Sequence, residues 1–221
     1  MNLSVRHSRK LGALVIAGAI ISVAATLAFQ VFADTKPVLI SPSKGSDKAP
    51  VTLIEYGSVT CSHCANWHKT GLPTIEKKYI RTGQVRYVFR EVATSPAPIA
   101  FGVYLIGHCA ANKKTLFGTG GQKAYFTVID GFFANYDKVM ETGDAQPTLK
   151  SLAKKAGLST AEYDACLKDE ALLEAISSRM QNRMEADDVK GTPSFFVNGK
   201  RVSGHGLKDV EAAIQTAQKA Q

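Results

Sequence analysis

The stretch Val51-Thr52-Leu53-Ile54-Glu55-Tyr56-Gly57-Ser58-Val59-Thr60-Cys61-Ser62-His63-Cys64 decides the fold. Val51 to Tyr56 is a near-continuous apolar run broken by Glu55, the pattern of a strand buried on both faces. The segment from Ala65-Asn66-Trp67-His68-Lys69 onward has helical character. A C-x-x-C pair at such a strand-to-helix junction is a redox arrangement. A helix N-terminus carries unpaired N–H groups and a partial positive charge, so it favours a thiolate in its first turn. Cys61 falls at that point, and its pKa should drop well below that of a free thiol. Cys64 lies one turn further in, close enough to close a small disulfide and shielded enough to react second.

Working outward, Pro37 to Ile40 reads as a short edge strand and Ser41 to Pro50 as a turn-rich link. Residues 61 to about 80 read as a helix that Pro73 should kink, because proline removes a hydrogen bond and crowds the preceding turn. Val85 to Glu91 reads as a strand. From Pro96 to about Asp188 no further strand pattern is expected. Ile99–Ala111, Lys123–Asn135, Gln146–Ala156, Thr160–Leu167 and Ala171–Asp187 all carry helical spacing. Ser194–Val197 and Lys200–Ser203 flank Asn198-Gly199, a strong hairpin signal, and Leu207–Ala217 closes the chain as a helix. The order is β, β, α, β, a helical block, a ββ hairpin, α.

The chain has 221 residues, 45% hydrophobic and 21% charged, enough to bury a core without help from disulfides. Its net charge of +8 is spread out, with no basic block interleaved with aromatics, so nucleic acid is not an expected partner. Arg6, His7, Arg9 and Lys10 precede an uncharged apolar run, Leu11 to Ala28, and Val31-Phe32-Ala33 offers a small-x-small cleavage site. Residues 1–33 therefore read as a secretory signal of the Sec type, with an uncleaved membrane anchor as the alternative. Removing them takes away three basic residues and no acids, which leaves +5. All four cysteines lie beyond residue 33, an even number in a compartment where disulfides persist.

Two motifs carry a family resemblance. Ile54 to Cys64 is similar to the active-site stretch of the DsbA family of exported bacterial thiol–disulfide oxidoreductases, and so is Gly191-Thr192-Pro193-Ser194-Phe195-Phe196-Val197-Asn198-Gly199. The resemblance covers about residues 35–221. It implies a thioredoxin fold, an α/β architecture, with a helical insertion between the third strand and the C-terminal β-hairpin. The expected parts are a first core segment over 34–97, an insertion over 98–188 and a second core segment over 189–221. The best-known members carry Pro-His where this chain has Ser62-His63, and Val where it has Thr192. Threonine there is more usual in the exported isomerases and some DsbA-like branches.

The resemblance also assigns roles. Cys61 and Cys64 are the catalytic pair; a structural bridge or a zinc half-site is the bland reading, and haem attachment fails because Ala65 follows Cys64. No second ligand pair supports a metal site, with His68 the one further candidate on the same helix. His63 either lies idle on the surface or stabilises the Cys61 thiolate. Glu55, unless it faces solvent, is a buried acid that should hold a proton or be hydrogen-bonded. The family places such an acid beneath the second cysteine, where it relays that thiol's proton. Thr192 and Pro193 form the substrate-binding loop, with a cis bond leaving the Thr192 backbone free to pair with a substrate strand. Cys109 and Cys166 are either two buried thiols or the second, non-catalytic disulfide that some DsbA-like proteins carry in the insertion. His108, His205, Trp67, Phe101 and Tyr104 read as structural.

The implied function is oxidation of exported protein thiols through Cys61–Cys64, with no cofactor beyond the sulfur pair. A DsbB-like quinone-linked membrane partner would reoxidise it. The nearest alternative is an isomerase or reductase kept reduced by a DsbD-like donor. A non-catalytic module that uses the fold as a scaffold is the alternative from another class. The implied location is periplasmic.

Overall fold

The computed structural model describes residues 37–116 and 118–220. The predicted signal segment, 1–33, lies outside the described residues. The described chain is built on a five-stranded mixed sheet in the order β1-β3-β2-β6-β7. The strands are β1 (Ser43–Lys44), β2 (Val51–Gly57), β3 (Val85–Glu91), β6 (Ser194–Val197) and β7 (Lys200–Arg201), with a separate small hairpin of β4 (Lys114–Thr115) and β5 (Gly118–Thr119). Strands β2 and β3 are parallel, and β1, β6 and β7 run antiparallel to their neighbours. The register sets Glu55 between Phe89 on one side and Phe195 on the other, so a carboxylate sits in the central strand between aromatic neighbours.

Parallel neighbours such as β2 and β3 need a crossover connection, usually a helix. Here it is α1 (Ser62–Thr70), α2 (Leu72–Ile75) and a π-helical turn over Glu76–Ile80. The break falls at Gly71, not at Pro73 as expected. A Cβ on Gly71 would lie 2.3 Å from the Trp67 ring, so the glycine lets the chain pass close over that indole. Pro73 sits in the first turn of α2, where a missing N–H leaves no hydrogen bond unmade.

The block between β3 and β6 comprises α3 (Ala97–Asn112), α4 (Gly121–Ala134), α5 (Tyr136–Thr142), α6 (Gln146–Lys155), α7 (Thr160–Cys166) and α8 (Glu170–Ala186). Helix α9 (Leu207–Lys219) closes the fold. Two expectations are corrected. The edge strand is Ser43–Lys44, in the segment read as a link, and Pro37–Ile40 is irregular. The helical block contains the β4–β5 hairpin, whose two-residue strands are too short to leave an alternating pattern. At the Asn198-Gly199 turn both residues take positive φ, 47° and 78°, as a tight hairpin requires.

Val51 and Leu53 join the main core with Trp67, Phe89 and the insertion helices, while Tyr56 faces a smaller cluster with Val92, Val189 and Phe196. A disulfide joins Cys109 of α3 to Cys166 of α7, with Cα atoms 6.3 Å apart and 57 residues of separation. On the chain-entropy model such a link is worth about 4 kcal/mol.

The insertion is also tied to the sheet by a buried charge cluster. Glu91, at the end of β3, accepts from the Tyr125 hydroxyl and pairs with His108 Nε2, both at 2.7 Å on Oε1, while Arg179 donates to Oε2 at 2.7 Å. Arg179 also donates to the Ile40 carbonyl at 2.6 Å. Thus α3, α4 and α8 converge on one carboxylate, and Arg179 links it to the N-terminal segment. Burial works to raise the Glu91 pKa. The His108 hydrogen bond, then the charges of His108 and Arg179, outweigh it and hold the group at about 2. A folded pKa below the unfolded one gives stability that is complete above the ordinary carboxyl range and lost as pH falls towards about 2. Glu91→Gln should therefore lower stability at neutral pH by about 3 kcal/mol, because it leaves the largely buried Arg179 charge without its partner. It should also flatten the acid limb of a urea-melt series measured against pH.

Candidate active site

Strand β2 ends at Gly57 and the chain crosses to α1 through Ser58-Val59-Thr60. This crossing is held by short polar side chains. The Ser58 Oγ and Thr60 Oγ1 atoms are 3.1 Å apart, and Thr60 Oγ1 lies 2.9 Å from Thr94 Oγ1. Tyr104 of α3 accepts from the Val59 N–H at 3.2 Å and donates to the Val92 carbonyl at 2.8 Å. Tyr104, expected to be plain core, thus braces the loop that positions the cysteines.

Cys61 is the N-cap of α1, and its sulfur accepts from the Cys64 N–H at 3.4 Å. Both cysteines are free thiols in the structure. Cys61 is half-buried, while Cys64 is fully buried and its sulfur accepts from the Ser58 N–H at 3.4 Å. The same structure pulls the two sulfurs in opposite directions. Donation from the Cys64 thiol lowers the Cys61 pKa most. Burial opposes it, and the Thr192 hydroxyl and the Cys64 and His63 backbone N–H groups add to the lowering, to about 5. Cys64 is pushed far above the ordinary thiol range, first by its hydrogen bond to Cys61, then by burial and by the nearby charge of Glu55. At neutral pH one sulfur is a thiolate and the other a thiol, the pair of states that thiol–disulfide exchange uses.

Thr192 stands across from the pair, and its bond to Pro193 is cis. The Cys61 thiol can donate to the Thr192 carbonyl at 3.4 Å, and the thiolate can accept from the Thr192 hydroxyl. A valine there would lose the second contact. His63 contributes to Cys61 through its backbone N–H, whereas its exposed ring meets the His205 ring edge-on at 6.2 Å. His205 reads from sequence as structural, and a loop after the hairpin gives no periodicity that would place it here. Tyr136 of α5 also reaches the rim, with its hydroxyl 3.5 Å from the Thr60 carbonyl and its pKa raised by burial and then by the Cys61 charge.

Beneath the pair lies Glu55, fully buried. The Tyr87 hydroxyl donates to its Oε2 at 2.6 Å, and His68 Nε2 lies 3.3 Å from its Oε1. Gly57 makes room for this carboxylate, since a Cβ there would be 2.5 Å from Oε1. Neither Tyr87 nor His68 was singled out as a Glu55 partner from sequence. The signal for His68 is its spacing of four from Cys64, which places both on one helix face. Among the described residues no group of three or more His, Cys, Asp or Glu side chains is arranged to hold a metal ion.

With fold and site in view, the chain belongs to the thioredoxin family, whose model matches residues 40–216. Within it the chain is DsbA-like. It is 25% identical to alpha-DsbA1 of Wolbachia pipientis, with a TM-score of 0.67 over 84% of this chain and 95% of that one. It is 27% identical to a Rickettsia bellii protein provisionally named a protein-disulfide oxidoreductase, over 78% of this chain and 62% of that protein. It is 26% identical to a Bacillus cereus protein provisionally named disulfide bond formation protein D, over 87% of this chain and 90% of that one. The matched region spans about three fifths of the length of the rickettsial relatives.

Titration of the thiolate absorbance of the reduced protein should give a Cys61 midpoint near 5. Thr192→Val should move it up by about one unit, the scale of one charge-assisted hydrogen bond.

Proposed function

We propose that the protein is a thiol–disulfide oxidoreductase that introduces disulfides into exported proteins. The observation that carries this reading is the unequal placement of the two sulfurs: Cys61 half-buried at the N-cap of α1, its pKa drawn down to about 5, and Cys64 fully buried with its pKa pushed up. Starting from the Cys61–Cys64 disulfide, a substrate thiolate attacks Cys61 Sγ. A new S–S bond forms to the substrate, the Cys61–Cys64 bond breaks, and Cys64 takes the electron pair and then a proton. Glu55 is the acid placed to supply that proton. A second substrate thiolate attacks the substrate sulfur of the mixed disulfide, and Cys61 leaves as a thiolate. Two electrons have passed from two substrate thiols to the enzyme, which ends as a dithiol.

The Cys61 thiolate is a good leaving group because it is stabilised, and that same stabilisation makes the disulfide oxidising. Thr192 and Pro193 would hold the substrate backbone beside Cys61. Oxidation of the resulting dithiol requires an electron acceptor, for which a DsbB-like quinone-linked membrane protein is the proposed partner. The proposed site of action is the periplasm, reached after cleavage of the 1–33 segment. Among the described residues no helix is long and apolar enough to cross a membrane.

Alkylation trapping of the protein in the exporting cell should find Cys61–Cys64 mostly as the disulfide. A predominantly dithiol population would replace the oxidase reading with that of an isomerase or reductase fed by a DsbD-like donor.

A further inference from the structure

Glu55 is sealed in the core, and one side of it is closed by an imidazole. The Oε1 atom of Glu55 and the Nε2 atom of His68 lie 3.3 Å apart, both buried, and neither makes a well-formed hydrogen bond, with the other or with any other described group. The His68 side chain is only 4% exposed. Aromatic packing sets its orientation. The ring stacks on Phe133 at 3.7 Å and 18°, and meets Phe89 edge-on at 5.9 Å. A phenylalanine would fill that slot equally well. An imidazole there adds one thing, a nitrogen 3.3 Å from a buried carboxyl oxygen.

On its outer side His68 lines a surface pocket of about 380 Å³ between α1, α2, α4 and α5. The charged groups around that pocket are Lys44 of β1, Lys69 of α1, Glu76 of the π-helical turn, Asp130 of α4 and Asp137 of α5. Lys44 is already paired with Glu76 at 2.6 Å and Asp130 at 2.8 Å. The groups that face the ring are thus Glu55 from the core and an acid-rich rim from solvent. The negative charge of Glu55 is felt at Cys64. These contacts mark out a line from the pocket to His68, to Glu55 and towards the buried sulfur.

We propose that His68 is the outer member of a proton path that joins this pocket to Cys64 through Glu55. The inference rests on the reading of Glu55 as the acid that serves Cys64. When Cys64 takes the electron pair of the broken disulfide, the Glu55 carboxyl gives it a proton. The Glu55 carboxylate then takes the Nε2 proton of His68, and the ring regains a proton from water in the pocket. On reoxidation the proton travels out by the same groups. His68 does not touch the sulfur pair; it is a positioning residue that acts through Glu55.

The test uses the full chain in single-turnover oxidation of a reduced peptide dithiol, followed by the fluorescence of Trp67, the one tryptophan. His68→Gln should slow the step about tenfold, below the range for a direct general acid because the ring acts at one remove. The deficit should shrink as pH falls, since acid supplies the missing proton. In His68→Ala, added imidazole should restore the rate in proportion to the imidazolium present, an effect that repacking alone cannot produce. Glu55→Gln is measured in parallel. If it leaves the rate unchanged, the Glu55 reading fails and His68 has no destination. If Glu55→Gln slows the step while His68→Gln keeps the unmodified rate and pH profile, only the His68 path is overturned. Should the His68 variants not fold, the unmodified protein decides. The labelled ring resonances of His68 must change between the oxidised and reduced protein, and identical spectra overturn the path.

Discussion

The end of α1 treats two sulfurs three residues apart in opposite ways, and the rest of the site depends on that inequality. Cys61 caps the helix, within reach of backbone N–H groups, the Cys64 thiol and the Thr192 hydroxyl. Cys64, one turn in, is fully buried with a carboxyl group beneath it. Had both sulfurs shared the helix-end environment, two thiolates would repel in the reduced state. Had both been buried, neither would attack at neutral pH. The surrounding elements keep the inequality in place. Tyr104 and the Ser58–Thr60–Thr94 contacts fix the crossing, and the Thr192–Pro193 loop stands over the half-buried sulfur of Cys61.

Two buried carboxyl groups in neighbouring strands show how environment separates scaffold from chemistry. Glu91 meets a guanidinium, an imidazole and a tyrosine hydroxyl, and its two oxygens are fully engaged. Such a group is held ionised, and its energy goes into tying the insertion to the sheet. Glu55 has one tyrosine hydroxyl and one imidazole at a looser 3.3 Å. Its Oε1 atom lacks a well-formed hydrogen bond, and the imidazole beside it lines a surface pocket.

Much of this architecture was legible in the sequence because it rests on local rules. The buried run of β2, the C-x-x-C after it, the Asn198-Gly199 turn and the helical spacings of the insertion each announce themselves within a few residues. What escaped depends on approaches between distant segments. The Gly71 break reflects the nearness of a tryptophan ring and competes in sequence with the more conspicuous Pro73. Strand β1 is two residues long and exists only because β3 offers an edge to pair with. The partners of Glu55 and Glu91 come from helices and strands far along the chain, and no spacing rule reaches across such a gap. His205 meets His63 only once the hairpin has turned.

The central claim is that the reduced pair holds one thiolate and one thiol at neutral pH. The midpoint potential of Cys61–Cys64 in glutathione buffers, measured across pH, counts the protons taken up with the two electrons. With Cys61 ionised above about 5 and Cys64 protonated throughout, the potential should fall by about 30 mV per pH unit above that point and by about 59 mV below it. A single slope of about 59 mV that persists to pH 8 or so would mean that both sulfurs bind protons on reduction, and would contradict the account.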